Sequence, residues 1–332
     1  MIDISVIIPC NHGHHELLKV VHAICNQTVK PVEIVIVDSS CDRGECPEKI
    51  MELCAVTGLQ LNYKHRAQCL PGHARNIGLS MAKCELVAFI DVQTIPRPNW
   101  LEISLTLMAS NAVAGVWGAT CFRADTTFER LVRDGFHGTL SRTTLPGTVC
   151  RRDVFAKVGQ FVDWVRAGED TEWMLRLELL KVSVVCPPKA SIDYVGLIDL
   201  NMKLLLRKWY RNYTASRDLP HFLPQRLLLW LVLYPLIVLI AFNWNYLIAD
   251  WRMDSPLYIG HVTKIVAILP VLCYVGVRGI MLPLKRGVGI WRLLPVRFIA
   301  ITLICFMADV VKVLVFSIPK REHDTSTLDL TE

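Results

Sequence analysis

The feature that most constrains this chain is a strand–helix alternation in its first ninety residues. Ile4–Pro9 is apolar without alternation, as a strand is when both its faces are buried in a parallel sheet. Glu16–Gln27 then carries apolar residues at helical spacing (Leu17, Leu18, Val20, Val21 and Ile24). Val32–Asp38 predicts a second strand, Glu48–Val56 a helix, Leu59–His65 a third strand, Gly72–Lys83 a helix and Leu86–Asp91 a fourth strand. This order predicts a doubly wound α/β sheet. Ligands of such sheets bind at the carboxyl ends of strands, here Pro9-Cys10-Asn11, Asp38-Ser39-Ser40 and Asp91-Val92-Gln93. No Gly-x-Gly-x-x-Gly follows the first strand and there is no P-loop, which disfavours a dinucleotide or a P-loop nucleotide site.

Further on, Gly168-Glu169-Asp170-Thr171-Glu172-Trp173 sets an acidic pair ahead of an apolar helical run (Trp173, Met174, Leu175, Leu177, Leu179 and Leu180). A carboxylate in the first turn of a helix is held anionic by the helix dipole. That is the state a general base needs to deprotonate a hydroxyl. An ordinary helix cap reads the same way. Glu172 and Arg176, four residues apart, stabilise the same helix.

The second half changes character. The mean hydropathy of +0.37 and the 52% of hydrophobic residues are too high for an ordinary soluble protein. The excess lies in residues 227–318, whereas residues 1–200 carry charge throughout. Three spans are predicted, at Leu227–Ala249, Val262–Leu282 and Leu293–Ser317, with Trp230, Trp244, Tyr246 and Trp251 near the interfaces. Leu204–Tyr213 mixes apolar, aromatic and basic residues and reads as an interfacial amphipathic helix; a buried helix of the soluble domain is the alternative. Lys203, Arg207, Lys208, Arg211, Arg217 and Arg226, opposed only by Asp218, match anionic headgroups on the cytoplasmic side and argue against a nucleic-acid partner. The basic loop Lys285–Arg292 falls on the same side, which leaves the tail from Pro319 outside. Asp309 and Lys312 are expected to pair within their helix near the membrane surface. The start of the chain lacks a basic n-region and a cleavage site, so the soluble domain is expected in the cytoplasm of a multi-pass protein of the cytoplasmic (inner) membrane. The expected organisation is a catalytic domain over 1–200, interfacial helices over 201–226, a membrane region over 227–318 and a polar tail over 319–332.

The twelve cysteines are scattered through apolar runs and read as reduced core thiols. Cys41 and Cys46 lack a second ligand pair at zinc spacing. His12, His14 and His15 read as a polar loop at the sheet edge.

Taken in order, Ser5-Val6-Ile7-Ile8-Pro9-Cys10-Asn11, Ile34-Val35-Ile36-Val37-Asp38-Ser39-Ser40, Gly72-His73-Ala74-Arg75-Asn76-Ile77-Gly78, Phe89-Ile90-Asp91-Val92-Gln93, Arg151-Arg152-Asp153-Val154-Phe155-Ala156-Lys157-Val158-Gly159 and Gly168-Glu169-Asp170 give the chain a resemblance. Over roughly residues 3–215 it resembles the family 2 glycosyltransferases, membrane-anchored bacterial type, with the GT-A fold. The resemblance implies a nucleotide-diphosphate sugar as donor, a UDP-sugar foremost. It implies that Pro9, Cys10 and Asn11 line the nucleoside pocket, that Asp38 reads the base edge, that Ser40 also binds the donor, and that Arg75 approaches the nucleotide. Asp91 and Gln93 fall at the metal–diphosphate position, with Asp91 as ligand to Mg2+ or Mn2+. Asp170, beside Glu169, is similar to the family's general base, which implies a single displacement with inversion.

Two departures stand out. The family's Asp-x-Asp is here Asp91-Val92-Gln93, and an amide oxygen is a weaker partner for a hard cation than a carboxylate. The Gln-x-x-Arg-Trp of processive synthases has no match; the nearest stretch is Leu206-Arg207-Lys208-Trp209-Tyr210-Arg211. Transfer of a single sugar to a lipid or polyprenyl-phosphate acceptor is expected, with Trp173, Arg207, Trp209 and Arg211 on the acceptor and membrane side. A catalytically weak binding or scaffold subunit of a polysaccharide or glycolipid assembly is the alternative. A homo-oligomer stays open, and Ala119–Thr148, where sugar identity is decided, shows no pattern.

Overall fold

The computed structural model describes residues 3–41, 46–110, 112–217, 219, 236–237, 239–249 and 251–317. Its first part is one mixed sheet with helices on both faces. The parallel half is β1 (Ile4–Cys10), β2 (Glu33–Asp38), β3 (Gln60–His65) and β4 (Leu86–Phe89), crossed over by α1 (His14–Cys25), α2 (Glu48–Thr57) and α3 (Pro71–Met81). Every residue of β2 and β4 is buried, as unalternating apolar runs require. The fourth strand ends at Phe89, two residues before the expected Asp91, and the chain turns there.

The expected doubly wound sheet holds only for this half. Beyond it come β5 (Thr94–Pro96), α4 (Trp100–Leu107), β6 (Gly115–Phe122), α5 (Thr127–Phe136), β7 (Arg142–Arg151), α6 (Val154–Val158), α7 (Glu169–Leu179), β8 (Val184–Val185) and β9 (Ile192–Tyr194). The strand order is β3-β2-β1-β4-β7-β6-β9-β5, with β8 beside β6, and β7 runs antiparallel to both β4 and β6. The unread stretch Ala119–Thr148 is therefore most of an antiparallel pair with a helix between its strands. That helix, α5, starts with a capping box: Thr126 accepts from the Glu129 amide at 3.3 Å and Glu129 accepts from the Thr126 amide at 3.1 Å.

Two apolar layers hold the sheet. One packs α1, α2 and α4 against it around Leu17, Ile24, Ile50 and Trp100. The other lies under α3, α6 and α7, where Phe89, Phe155, Phe161 and Trp173 form an aromatic cluster with Phe155 stacked on Trp173 at 4.9 Å. Trp173 is fully buried and its indole donates to the Gly159 carbonyl at 3.1 Å. This corrects the expectation that Trp173 meets an acceptor: it faces the sheet, not a cavity.

α8 (Met202–Ser216) follows, capped by Asn201, whose side chain accepts from the Leu204 amide at 3.0 Å. It combines the two alternatives read from sequence. Leu205 is buried with Val132, Leu197 and Ile304, while Arg207 and Tyr210 stay exposed. Next, α9 (Val262–Val275) runs through a π-helical stretch (Gly276–Met281) into α10 (Leu282–Lys285), and α11 (Ile290–Leu293) leads to α12 (Arg297–Ser317). Among the described residues two helices, Lys264–Lys285 and Arg297–Ser317, are long and apolar enough to cross a membrane. Ile268, Leu269 and Leu272 of the first are more than half exposed. Of the remaining expected span, residues 239–247 are helical and 227–235 lie outside the described residues, as do Trp230, Arg226, Asp218 and the tail.

α12 lies against α5 and α8, and Arg292 and Arg297 approach the buried carboxylate of Asp134 on α5 at 3.5 and 3.7 Å. Asp309 does not pair with Lys312 as expected. It accepts from Arg278 Nε at 2.9 Å and from the Tyr274 hydroxyl at 2.7 Å, across to the neighbouring helix. A carboxylate three residues from Lys312 is thus claimed by a guanidinium aimed from the π-helical stretch.

Replacing Trp173 by alanine is expected to cost about 3–5 kcal/mol, the range for deleting a fully buried large aromatic. Chemical denaturation of the purified protein measures it; a change below about 1 kcal/mol is the result for a side chain waiting at a surface.

Candidate active site

The site is organised around Arg75. α3 opens with Pro71 in its first turn, and Gly72 lets the loop before α7 approach: a Cβ there would lie 1.9 Å from the Val162 carbonyl oxygen. One turn on, Arg75 is 3% exposed. It donates from Nη1 to Glu169 Oε1 at 2.6 Å and from Nη2 to Asp91 Oδ1 at 2.8 Å, with its guanidinium 5.7 Å from the Phe161 ring centre. Burial works against its charge, but Asp91, Glu169 and Asp170 outweigh that and hold it protonated more firmly than an ordinary arginine. For Glu169 burial dominates and the neighbouring Asp170 adds to it, so its carboxyl is shifted upward despite the Arg75 pair. Its second oxygen, Oε2, is buried with no hydrogen-bond partner among the described residues.

Gly168 precedes α7 with φ of +94°, a left-handed turn, and supplies no side-chain cap. The acidic pair is therefore not the cap; it occupies the first turn itself. Glu169 turns inward to Arg75. Asp170 turns to the cavity, its Oδ1 accepting from the Thr171 amide at 2.7 Å.

That cavity has a volume of about 590 Å3. Pro9, Cys10, Asn11 and Ser39 line one end, Arg75, Asp91, Gln93, Glu169 and Asp170 the middle, and Tyr194, Arg166, Lys208 and Arg211 the far wall. A second cavity of about 430 Å3 adjoins it, sharing Asp91, Asp170, Tyr194 and Lys208, with Trp209, Phe136 and His137 on its other side. Burial pushes the Cys10 thiol up to about 11, so it serves as an apolar wall.

Most residues expected from sequence meet here, and some do not. Asp38 and Ser40 are buried beside the cavity rather than on its wall. The Asp38 carboxylate accepts from the Ser40 amide at 2.9 Å, the Ser40 hydroxyl at 2.8 Å and the Tyr63 hydroxyl at 2.7 Å; Ser39 is the residue of that turn facing inward. The expectation that Asp38 reads the base edge, with Ser40 also binding the donor, meets a carboxylate already saturated by its own turn. Arg207 points to solvent, and Trp209 packs on Phe136 with ring centres 5.1 Å apart.

Gln93 is engaged in a way the sequence did not suggest. Its Oε1 accepts from the Tyr194 hydroxyl at 3.0 Å, and that hydroxyl accepts from Lys208 Nζ at 2.9 Å. Tyr194 and Lys208 were missed as site residues: β9 is three residues long, and Lys208 was read with the basic membrane cluster. Where the family places a second acidic metal ligand, this chain places an amide tied to a lysine. Asp91 Oδ1 is held by Arg75, and no group of three His, Cys, Asp or Glu side chains able to hold a metal exists among the described residues. The side chains do not form a donor set for a resident divalent cation.

Fold and cavity define a GT-A-type domain. Residues 5–162 match the description Glycosyl transferase family 2. The pre-mycofactocin glycosyltransferase of Mycobacterium tuberculosis is 25% identical over 226 residues, 62% of this chain and 44% of the relative. Glycosyltransferase AglE of Haloferax volcanii is 26% identical over 186 residues, 52% of this chain and 60% of the relative. The chain thus spans about half the length of these curated relatives. Among solved structures, mannosyltransferase PcManGT from Pyrobaculum calidifontis, in complex with GDP-Man and Mn2+, shares the fold at a TM-score of 0.53 and 15% identity, covering 93% of this chain and 86% of that one. Residues 5–162, just under half of the chain, are therefore similar to the family 2 glycosyltransferases. The acidic pair at 169–170 lies just beyond the matched stretch.

His137 gives the site wall a pH signature. Burial, with Arg142, Lys208 and Arg286 adding, pushes it down to about 3, and it stacks on Phe122 at 3.8 Å. A histidine kept neutral in the fold contributes stability above its unfolded pKa of about 6.5 that drains away as pH falls towards the folded value. Thermal unfolding from pH 7 to pH 5 is expected to show a loss of about 1–2 kcal/mol in wild type and a flatter profile in His137→Gln.

Proposed function

We propose that this chain is an inverting glycosyltransferase that moves one sugar from a nucleotide-diphosphate sugar to a lipid-linked acceptor at the cytoplasmic face of a membrane. The observation that carries the reading is the division of labour in the acidic pair: Glu169 is buried and spent on Arg75, whereas Asp170, which lines the same cavity, has no ion pair among the described residues.

In this reading the nucleoside rests against Pro9, Cys10, Asn11 and Ser39. Asp170 takes the proton of the acceptor hydroxyl. The oxygen attacks the anomeric carbon from the face opposite the diphosphate, the bond from that carbon to the phosphate oxygen breaks, and the diphosphate leaves with the electron pair. Inversion follows from the single displacement. Lys208, oriented through Tyr194 and Gln93, meets the charge that grows on the leaving group. No step is routed through Mg2+ or Mn2+: Gln93 is tied to Tyr194 and one Asp91 oxygen to Arg75, which leaves a single carboxylate oxygen at this position, and the Mn2+ of PcManGT belongs to that protein.

The exposed apolar helices support the membrane placement. Each large aliphatic side chain left in water forgoes about 1.5–3 kcal/mol of burial, and the helix Lys264–Lys285 carries a row of them. Lys203 and Arg207 of α8 are exposed, where anionic headgroups would meet them. The neutral Gln93 favours a second reading, a non-catalytic subunit that holds a nucleotide sugar for an assembly.

Lipid-reconstituted protein supplied with UDP- and GDP-sugars and a lipid-phosphate-linked acceptor is expected to release nucleoside diphosphate. Asp170→Asn should lower kcat by about 10²–10⁴-fold with donor affinity kept. Equal turnover in wild type and Asp170→Asn would remove the base role, and no release from either points to the scaffold.

The tie at Gln93 makes a separate prediction. Wild type is expected to bind donor nearly as well in EDTA as in Mn2+. Gln93→Asp, which restores a second carboxylate, should make donor binding Mn2+-dependent by about tenfold or more, as read by calorimetry.

A further inference from the structure

A third opening lies beside the main cavity, a groove of about 420 Å3 between α8 and the loop ahead of α7. Trp164, Tyr210 and Leu70 line it, and Arg166 and Arg211 belong both to it and to the main cavity. These two arginines differ from the other site cations. Arg75 is held by two carboxylates and Lys208 by Tyr194. Arg166 has no ion pair or hydrogen bond among the described residues, and Arg211 donates from Nε only to the neutral Asn212 Oδ1 among them, at 3.4 Å. Partial burial and the approach of Arg166 shift Arg211 downward, as two neighbouring like charges require.

The rest of the groove is apolar and uncovered. Trp164 is 51% exposed and Tyr210 54% exposed, and both line the groove with the two arginines. An anion closes the charge gap, and planar guanidinium forks favour phosphate. An apolar chain covers the aromatic walls. The two demands fall on one molecule because both arginines bound both spaces. The groove is also built on α8, the helix packed against the exposed apolar α12.

We propose that the Arg166–Arg211 pair and the Trp164–Tyr210 groove form the binding site for a lipid phosphate, the phosphate on the arginines and the hydrocarbon chain along the aromatic side chains. This rests on the transferase reading of the adjoining cavity and names its acceptor class: the phosphate sits at the junction, and the reacting hydroxyl reaches past it to Asp170.

The test is a binding series on the full-length protein in nanodiscs, followed by tryptophan fluorescence and calorimetry. Farnesyl phosphate, farnesol and inorganic phosphate are the acceptor-side probes, and UDP and GDP the donor-side probes. Wild type is expected to bind farnesyl phosphate at least about tenfold more tightly than farnesol or inorganic phosphate. Arg166→Gln/Arg211→Gln should lose about tenfold or more of that affinity, and Trp164→Ala several-fold, each with an unchanged unfolding midpoint, while nucleotide affinity holds. Arg166→Lys/Arg211→Lys should recover part of the loss. Inorganic phosphate binding as tightly as farnesyl phosphate would overturn the lipid assignment. So would a double variant that loses UDP or GDP and keeps farnesyl phosphate, since the arginines would then serve the donor. Failure of wild type to bind either nucleotide, with farnesyl phosphate still bound through the arginines, would strike the transferase reading and leave this site standing.

Discussion

A buried guanidinium ties together three segments that are distant in sequence. Arg75 comes from α3, Asp91 from the turn after β4, and Glu169 from the first turn of α7. Glu169 is nearly as buried as Arg75, and burial shifts its carboxyl upward even with the pair in place; the arginine would not tolerate burial without its partners. Removing one partner of such an arrangement typically costs about 3–5 kcal/mol, because the remaining charge is stranded. Replacing the whole set by apolar residues would spare that cost. The arrangement is therefore better understood as fixing position than as adding stability. It sets the height of α7 against the sheet, and so determines where Asp170 stands relative to Pro9 and Asn11.

The second organising element is the chain Lys208–Tyr194–Gln93. It begins on α8, passes through the last residue of β9 and ends at the turn that carries Asp91. Each link is neutral or singly charged, and together they occupy the place where an acidic ligand would draw a cation. A helix held by α12 thus brings a cationic side chain to that place.

The parallel half of the sheet was legible because parallel strands covered on both faces must be apolar throughout, and Ile4–Pro9, Val32–Asp38 and Leu86–Asp91 are. The antiparallel half was not. β6 and β7 contain Gly115, Gly118, Gly147 and Pro146, and their pairing is irregular between Val116 and Gly118, so neither alternation nor continuity marks them. The start of α5 was written in Thr126-Thr127-Phe128-Glu129, a capping-box spacing that was not read. In the site, Pro9, Cys10, Asn11, Arg75, Asp91 and Asp170 were visible because strand ends and helix starts announce themselves. Asp38 misled: an aspartate at a strand end also satisfies its own turn, and only the positions of Ser40 and Tyr63 decide between the roles. Lys208, Tyr194 and Arg166 were hidden, since nothing local distinguishes a lysine that reaches a cavity from one that faces a lipid.

The reach of α8 into the cavity bears on what counts as the catalytic unit. A boundary at residue 200 looks natural in the sequence, where charge gives way to basic and apolar segments. In the folded chain that cut removes Lys208, Arg211, Asn212 and Tyr213, an entire wall of the cavity. It also removes α12, against which that wall is braced. The N-terminal residues alone would form the sheet and keep the acidic pair, yet hold an open trough in place of a pocket. The apolar segment is therefore coupled to the cavity through α8, which it braces, so a shift of α12 against α8 would change the width of the pocket.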